Sequence, residues 1–181
     1  MSHAAAKVPM MGFAAYSGTG KTTLLKQVLP ILKANGMRVG VVKHAHHGFD
    51  IDYPGKDSYE LRKSGAQQML VGSRERWALI VETGADEEPN LAEMMQHLVP
   101  EDLDLILVEG YKPEDFPKIE LHRPSLGQAL LCASDPSIIA VASDAPLREP
   151  VDLPLLDMNS PASIASFILT HFQRSLEDNS L

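Results

Sequence analysis

The stretch AAYSGTGKTTLL, Ala14–Leu25, decides how the rest of the chain is read. Gly20, Lys21 and Thr22 close the phosphate-binding pattern G-x-x-x-x-G-K-[ST]. The first glycine of that pattern would fall at position 15, where the chain has Ala15. The match is therefore to a relaxed form. Its flanks supply the missing strength. VPMMGFAA, Val8–Ala15, is an apolar run that reads as a short buried strand. After the loop, Leu24, Leu25, Val28, Leu29, Ile31 and Leu32 recur at helical spacing, and Gly36 supplies a stop. Pro30 is the expected kink point in that helix.

Strand, loop and helix form the arrangement that phosphate chemistry needs. Successive backbone N–H groups and a helix N-terminus make a positive concavity for phosphate oxygens. Lys21 is placed to reach the β- and γ-phosphates, and Thr22 to offer its hydroxyl to Mg²⁺. The competing reading is a plain helix cap behind a flexible lead-in. A lysine directly after Gly20 has no capping role, which favours the phosphate reading.

The 181 residues fit one domain, a phosphate-loop domain with residues 1–8 and 176–181 expected as flexible ends. A net charge of −8 argues against a general nucleic-acid surface. One cysteine, Cys132, excludes an intrachain disulfide framework and favours a reducing compartment. Its apolar neighbours, ALLCAS, read as the setting of a buried structural thiol rather than a nucleophile. No apolar run reaches 18 residues and the N-terminus lacks a secretory pattern, so no membrane span and a cytoplasmic location are expected.

Further along, MRVGVVKH, Met37–His44, reads as a second buried strand. The polar loop AHHGFDIDYPGKD follows, long enough to suggest a functional role. A short helix is expected over DSYELRKSG, with Asp57 and Ser58 as caps. AQQMLVG and WALIVET read as an antiparallel hairpin. A helix over NLAEMMQHLV precedes the strands LDLILVEG, FPKIELHR and PSIIAVAS, and a terminal amphipathic helix starts near Pro161. The pattern predicts an α/β fold: a mostly parallel sheet with helices on both faces, a phosphate-loop three-layer sandwich, with the hairpin as an extension.

Ligands in such sheets sit beyond the C-terminal strand ends. Glu109, ending an apolar strand beside Gly110, is the foremost carboxylate for Mg²⁺ or its water. Asp50 and Asp52 compete as a second one, with Asp52 taken as the candidate catalytic group beside Lys21 and Glu109. Lys43 and His44 are candidate anion contacts, and Lys56, Arg62 and Lys63 a candidate anion site or a solvated helix face. His44, His46 and His47 with the nearby aspartates could hold a transition metal, although their spacing matches no zinc pattern. Asp144 could read guanine by accepting from N1–H and the exocyclic amine, or could be a turn aspartate; the usual N-K-x-D is absent.

Taken together, GFAAYSGTGKTTLL, the block from VVKHAHHGFDID to PGKDSYELRKSGA, RWALIVET, LDLILVEGYK and KIELHR resemble the MobB family of molybdopterin-guanine dinucleotide biosynthesis proteins. The resemblance runs from about Met10 to the terminal helix, and Ala15 fits the family's usual loop. It implies a GTP-binding homodimeric adapter with weak GTPase activity. Its partner would be the guanylyltransferase that joins GMP to molybdenum-bound molybdopterin, with molybdopterin itself a candidate ligand. Carried over, Ser17, Gly18, Thr19, Gly20, Lys21, Thr22 and Thr23 would hold the triphosphate, Thr22 and Glu109 would attend Mg²⁺, and Asp144 would face guanine.

From the residues alone, a stand-alone phosphoryl-transfer enzyme would carry the same loop and Glu109, with the His/Asp loop binding its acceptor. A metal-handling accessory protein is the third reading. The hairpin from Gln67 to Thr83, with apolar Trp77 and Ile80, is the candidate dimer contact, unless it packs within one subunit.

Overall fold

The computed structural model describes residues 8–45, 48–84 and 88–178. These form two compact units, one drawn from Met1–His44 and Asn90–Leu181, the other from Ala45–Pro89.

The first unit is built on a six-stranded sheet in the order β2-β5-β1-β6-β7-β8. Its strands are β1 (Met10–Ala14), β2 (Val39–Lys43), β5 (Leu105–Glu109), β6 (Lys118–His122), β7 (Ile138–Ser143) and β8 (Leu155–Asp157). Every pairing in it is parallel. The register sets Phe13 opposite Glu109 and Ala14 opposite Glu120, so the C-terminal ends of β1, β5 and β6 lie side by side.

Strand alternation sorts the residues between two faces. On one, Met11, Phe13, Leu107, Ile119 and Leu121 pack with α1 (Lys21–Ala34) and α4 (Pro161–Asp178) through Leu25, Val28, Leu32, Ile164 and Ile168. Each such side chain contributes about 1.5–3 kcal/mol of burial. On the other, Val42, Ile106, Val108, Tyr111 and Phe116 pack with Leu91 of α3 (Leu91–Met95). Apolar runs through β1, β5 and β7 are thus explained by cover on both faces.

β6 carries a buried polar row instead: Lys118, Glu120 and His122 are all buried. Each finds partners, as buried polar groups must. Lys118 Nζ donates to Glu114 O at 2.6 Å, Ser137 Oγ at 2.6 Å and Asp135 Oδ2 at 3.0 Å. Glu120 accepts the backbone N–H groups of Leu131 and Cys132, each at 2.8 Å. The Cys132 thiol is half-buried, and burial followed by the Glu120 charge pushes its pKa up, the opposite of an activated nucleophile.

The second unit holds α2 (Asp57–Lys63) and the antiparallel hairpin of β3 (Gln68–Gly72) and β4 (Trp77–Val81). Arg62 is buried at its centre and donates to Asp50, Asp52 and Glu82, each at 2.5 Å. One guanidinium thereby ties the loop, the helix and the strand end together.

The fold class follows the sequence expectation, and local details differ from it. β2 is an edge strand in which only Val42 is buried, because a sheet edge leaves one flank open. α2 is capped at Lys56 with no side-chain cap, while Asp57 lies inside the first turn. α3 is one short helix capped by Asn90, and a 3-10 turn at Pro100–Asp102 follows. Pro30 sits inside a continuous α1 on its exposed side. β8 was not expected at all.

Candidate functional site

The loop between β1 and α1 turns twice through left-handed backbone, at Gly18 (φ 80°) and Gly20 (φ 102°). Side-chain residues rarely adopt that conformation, so these two positions require glycine. Position 15 does not. Ala15 is absent from the left-handed residues and its methyl is buried in the main core, so alanine replaces the first glycine without strain. Thr19 is buried and braces the turn, its Oγ1 donating to Tyr16 O at 2.8 Å. The seven residues Ser17 to Thr23 named from the sequence run through this loop into the first turn of α1.

Lys21 Nζ donates to Ala15 O at 3.3 Å, which folds the side chain over the loop. Burial lowers its pKa, Lys112 and Lys43 lower it further by repulsion, and Glu109 offsets part of this. The loop is therefore a crowded cationic region. Thr22 Oγ1 donates to Glu109 Oε1 at 3.3 Å, joining the start of α1 to the end of β5. Glu109 Oε2 lies 3.8 Å from Lys43 Nζ. A hydroxyl and a carboxylate side by side are hard oxygen donors, the set that suits Mg²⁺ beside phosphates.

On the other side of β1, Arg123 Nε donates to Thr19 O at 2.8 Å and its Nη1 to Asp144 Oδ2 at 2.5 Å. Oδ1 of Asp144 is buried with no hydrogen-bond partner among the described residues. A buried carboxylate oxygen left without a donor is costly unless a ligand supplies one.

Lys21, Thr22, Glu109, Asp144 and the loop are thus brought together in the first unit. Asp52 lies in the second, with its Oδ1 on Arg62 and its carboxyl held below the usual carboxylate range by that hydrogen bond. Arg62 is committed to three carboxylates, so it does not form the anion site considered with Lys56 and Lys63. The His44 ring packs against Tyr111 in a tilted contact, ring centroids 5.0 Å apart and planes 40° apart. His46 and His47 lie outside the described residues. Among the described residues no three His, Cys, Asp or Glu side chains cluster as metal ligands, and no helix is long and apolar enough to cross a membrane.

Two contributors escaped the sequence reading. Arg123 belongs to no motif singled out in the sequence, yet it links the loop to Asp144. Lys112 follows the EGY turn after β5, and its Nζ lies 5.5 Å from the ring centroid of Tyr16 in the loop. A lysine three residues beyond Glu109, the candidate metal carboxylate, was the available signal.

Comparison with known proteins gives the family. Residues 10–144 match the family model described as MobB, molybdopterin guanine dinucleotide synthesis protein B. The molybdopterin-guanine dinucleotide biosynthesis adapter protein of Escherichia coli strain K12 is 49% identical over 168 residues, 92% of this chain and 95% of that one. Its counterpart from Haemophilus influenzae is 41% identical over 92% of both chains. The crystal structure of a MobB protein homolog from Bacillus stearothermophilus covers 91% of this chain and 98% of its own, with TM-score 0.68 and 25% identity. On these grounds the chain belongs to the MobB family of molybdopterin-guanine dinucleotide biosynthesis adapter proteins.

Proposed function

We propose that this chain is a GTP-binding adapter that presents Mg²⁺-bound GTP to the guanylyltransferase forming molybdopterin guanine dinucleotide. The observation that carries the reading is the joint placement of loop, Thr22–Glu109 pair and Asp144. The loop amides and Lys21 would hold the β- and γ-phosphates. Thr22 and Glu109 would hold Mg²⁺, which when bound neutralises phosphate charge and orients the terminal group. Asp144 would accept from guanine N1–H and the 2-amino group through Oδ1, which has no partner among the described residues, while Arg123 fixes its other oxygen.

Hydrolysis in this reading is slow. Among the first unit's described groups, Glu109 is already engaged with Thr22 and Lys43, which suits holding a metal more than activating water. Asp52, placed on Arg62, serves the second unit as a fastening for its loop.

The chain would act as a homodimer in the cytoplasm. Trp77, Leu79 and Val81 share one hairpin face with Leu70 and are all exposed. A two-stranded sheet is marginal by itself, and a second copy or the partner enzyme would cover that face. Ile80, the other residue named from the sequence, points to the opposite face and is half-buried.

Base discrimination tests the reading. Affinities for GTP and ATP with Mg²⁺ should differ by about tenfold or more, the worth of a charged hydrogen-bond pair. Equal affinities would contradict it.

A further inference from the structure

Immediately after β5 the backbone makes an uncommon turn. Gly110 (φ 98°) and Tyr111 (φ 51°) are both left-handed, and Tyr111 is the one non-glycine residue in that region among those described. A bulky residue there is an outlier that its surroundings must enforce. Here they do. Tyr111 is buried in the second core and its ring packs on His44. A Cβ at Gly110 would lie 2.6 Å from Cβ of His44, so the turn presses directly against the end of β2.

The outcome of this turn is the position of Lys112. Its ammonium lies over the Tyr16 ring of the phosphate loop, near enough to Lys21 to repel it. The neighbouring cations are otherwise engaged: Lys43 faces Glu109, and Lys21 bonds Ala15 O. Lys112 is exposed and has no carboxylate partner among the described residues. A strained turn thus places an uncompensated cation beside an already cationic loop. The unfavourable crowding is relieved by a polyanion that reaches both ammonium groups.

Sheet order shows which part of the polyanion that is. β5 lies on one side of β1, and β6 and β7 on the other. With the base at Asp144 beyond β7, the phosphate chain crosses the β1 loop and its terminal group arrives at β5. We propose that Lys112 is a second phosphate-recognising lysine, contacting the terminal phosphate and setting the preference for nucleoside triphosphate over diphosphate. The proposal rests on the nucleotide reading above. It adds that the discrimination resides on the β5 turn rather than in Lys21 alone.

The test measures Mg²⁺-dependent binding of GTP and GDP to the full chain and to Lys112→Met, Lys112→Arg and Lys21→Met. Lys112→Met should weaken GTP by about tenfold or more and GDP by less than about threefold, since only the triphosphate loses a charged contact. Lys112→Arg should restore most of the preference, because a charge remains. Lys21→Met should weaken both nucleotides. If Lys112→Met lowers both affinities equally, or neither, the inference is overturned while the nucleotide reading stands. If the unaltered chain binds neither nucleotide, both are overturned. Lys112 is exposed, so circular dichroism of the variants should match that of the parent.

Discussion

Arg123 donates from Nη1 to Oδ2 of Asp144 at 2.5 Å, while its Nε holds the carbonyl of Thr19. One side chain thus couples the phosphate loop to the end of β7. The carboxylate is held with one oxygen occupied and the other without a donor among the described residues.

On the proposed reading, that arrangement would make Asp144 the determinant of base choice. Asp144→Asn replaces an acceptor by a donor at one oxygen position. GTP affinity should fall by about 10–100-fold, the loss of a charge-assisted pair. Xanthosine triphosphate, which carries a carbonyl where guanine has its amine, should gain. Competition binding with both nucleotides checks this, and an unchanged preference for GTP would remove Asp144 from the base site.

The second unit depends on Arg62. Replacing it by methionine leaves Asp50, Asp52 and Glu82 facing one another without their common cation. Like charges held together disfavour the compact form. Limited proteolysis should cut Arg62→Met faster within 45–89, with the six-stranded sheet still intact by circular dichroism. Equal cleavage rates for variant and parent would mean that the guanidinium is not what fastens this unit.

Acid stability should carry the mark of Asp104. Hydrogen bonds from the Arg38 side chain and then its backbone hold this carboxyl down to about 2. A depressed folded-state value stabilises the protein above the unfolded value of about 4 and loses that effect as pH falls toward 2. The melting-temperature difference between parent and Asp104→Asn should therefore be steady near neutrality and shrink below about pH 4. A difference that persists undiminished to the acid limit would show that the Arg38 pair is not its source.

Gly12 offers a packing test. A Cβ there would lie 2.4 Å from Cε2 of Phe116 and 2.8 Å from Cγ of Lys118. Gly12→Ala should destabilise the first unit by about 1–3 kcal/mol through overpacking. Denaturant unfolding measures this directly, and a neutral result would mean that the loop carrying Phe116 yields freely.

Much of the first unit was legible because its signals are local. The loop glycines, the apolar run ending at Glu109 and the helical spacing after Lys21 each declare themselves within a few residues. The hairpin likewise follows from two apolar runs joined by Ser73–Arg76. β8 was illegible because three residues, Leu155–Asp157, carry no period and exist only through pairing with β7. Arg62 looked like a surface cation because its three carboxylates come from distant positions in sequence. Arg123 is separated from Thr19 by 104 residues and from Asp144 by 21, so neither contact leaves a motif. The left-handed Tyr111 was hidden for another reason: packing, not propensity, enforces it.

The central claim concerns one cradle, and a crystal structure grown with a non-hydrolysable GTP analogue and Mg²⁺ tests it most directly. The β- and γ-phosphates should lie on the amides of Gly18 to Thr22, with the metal between Thr22 and Glu109 and guanine on Asp144. Nucleotide bound anywhere else, with that loop bare, would contradict the account.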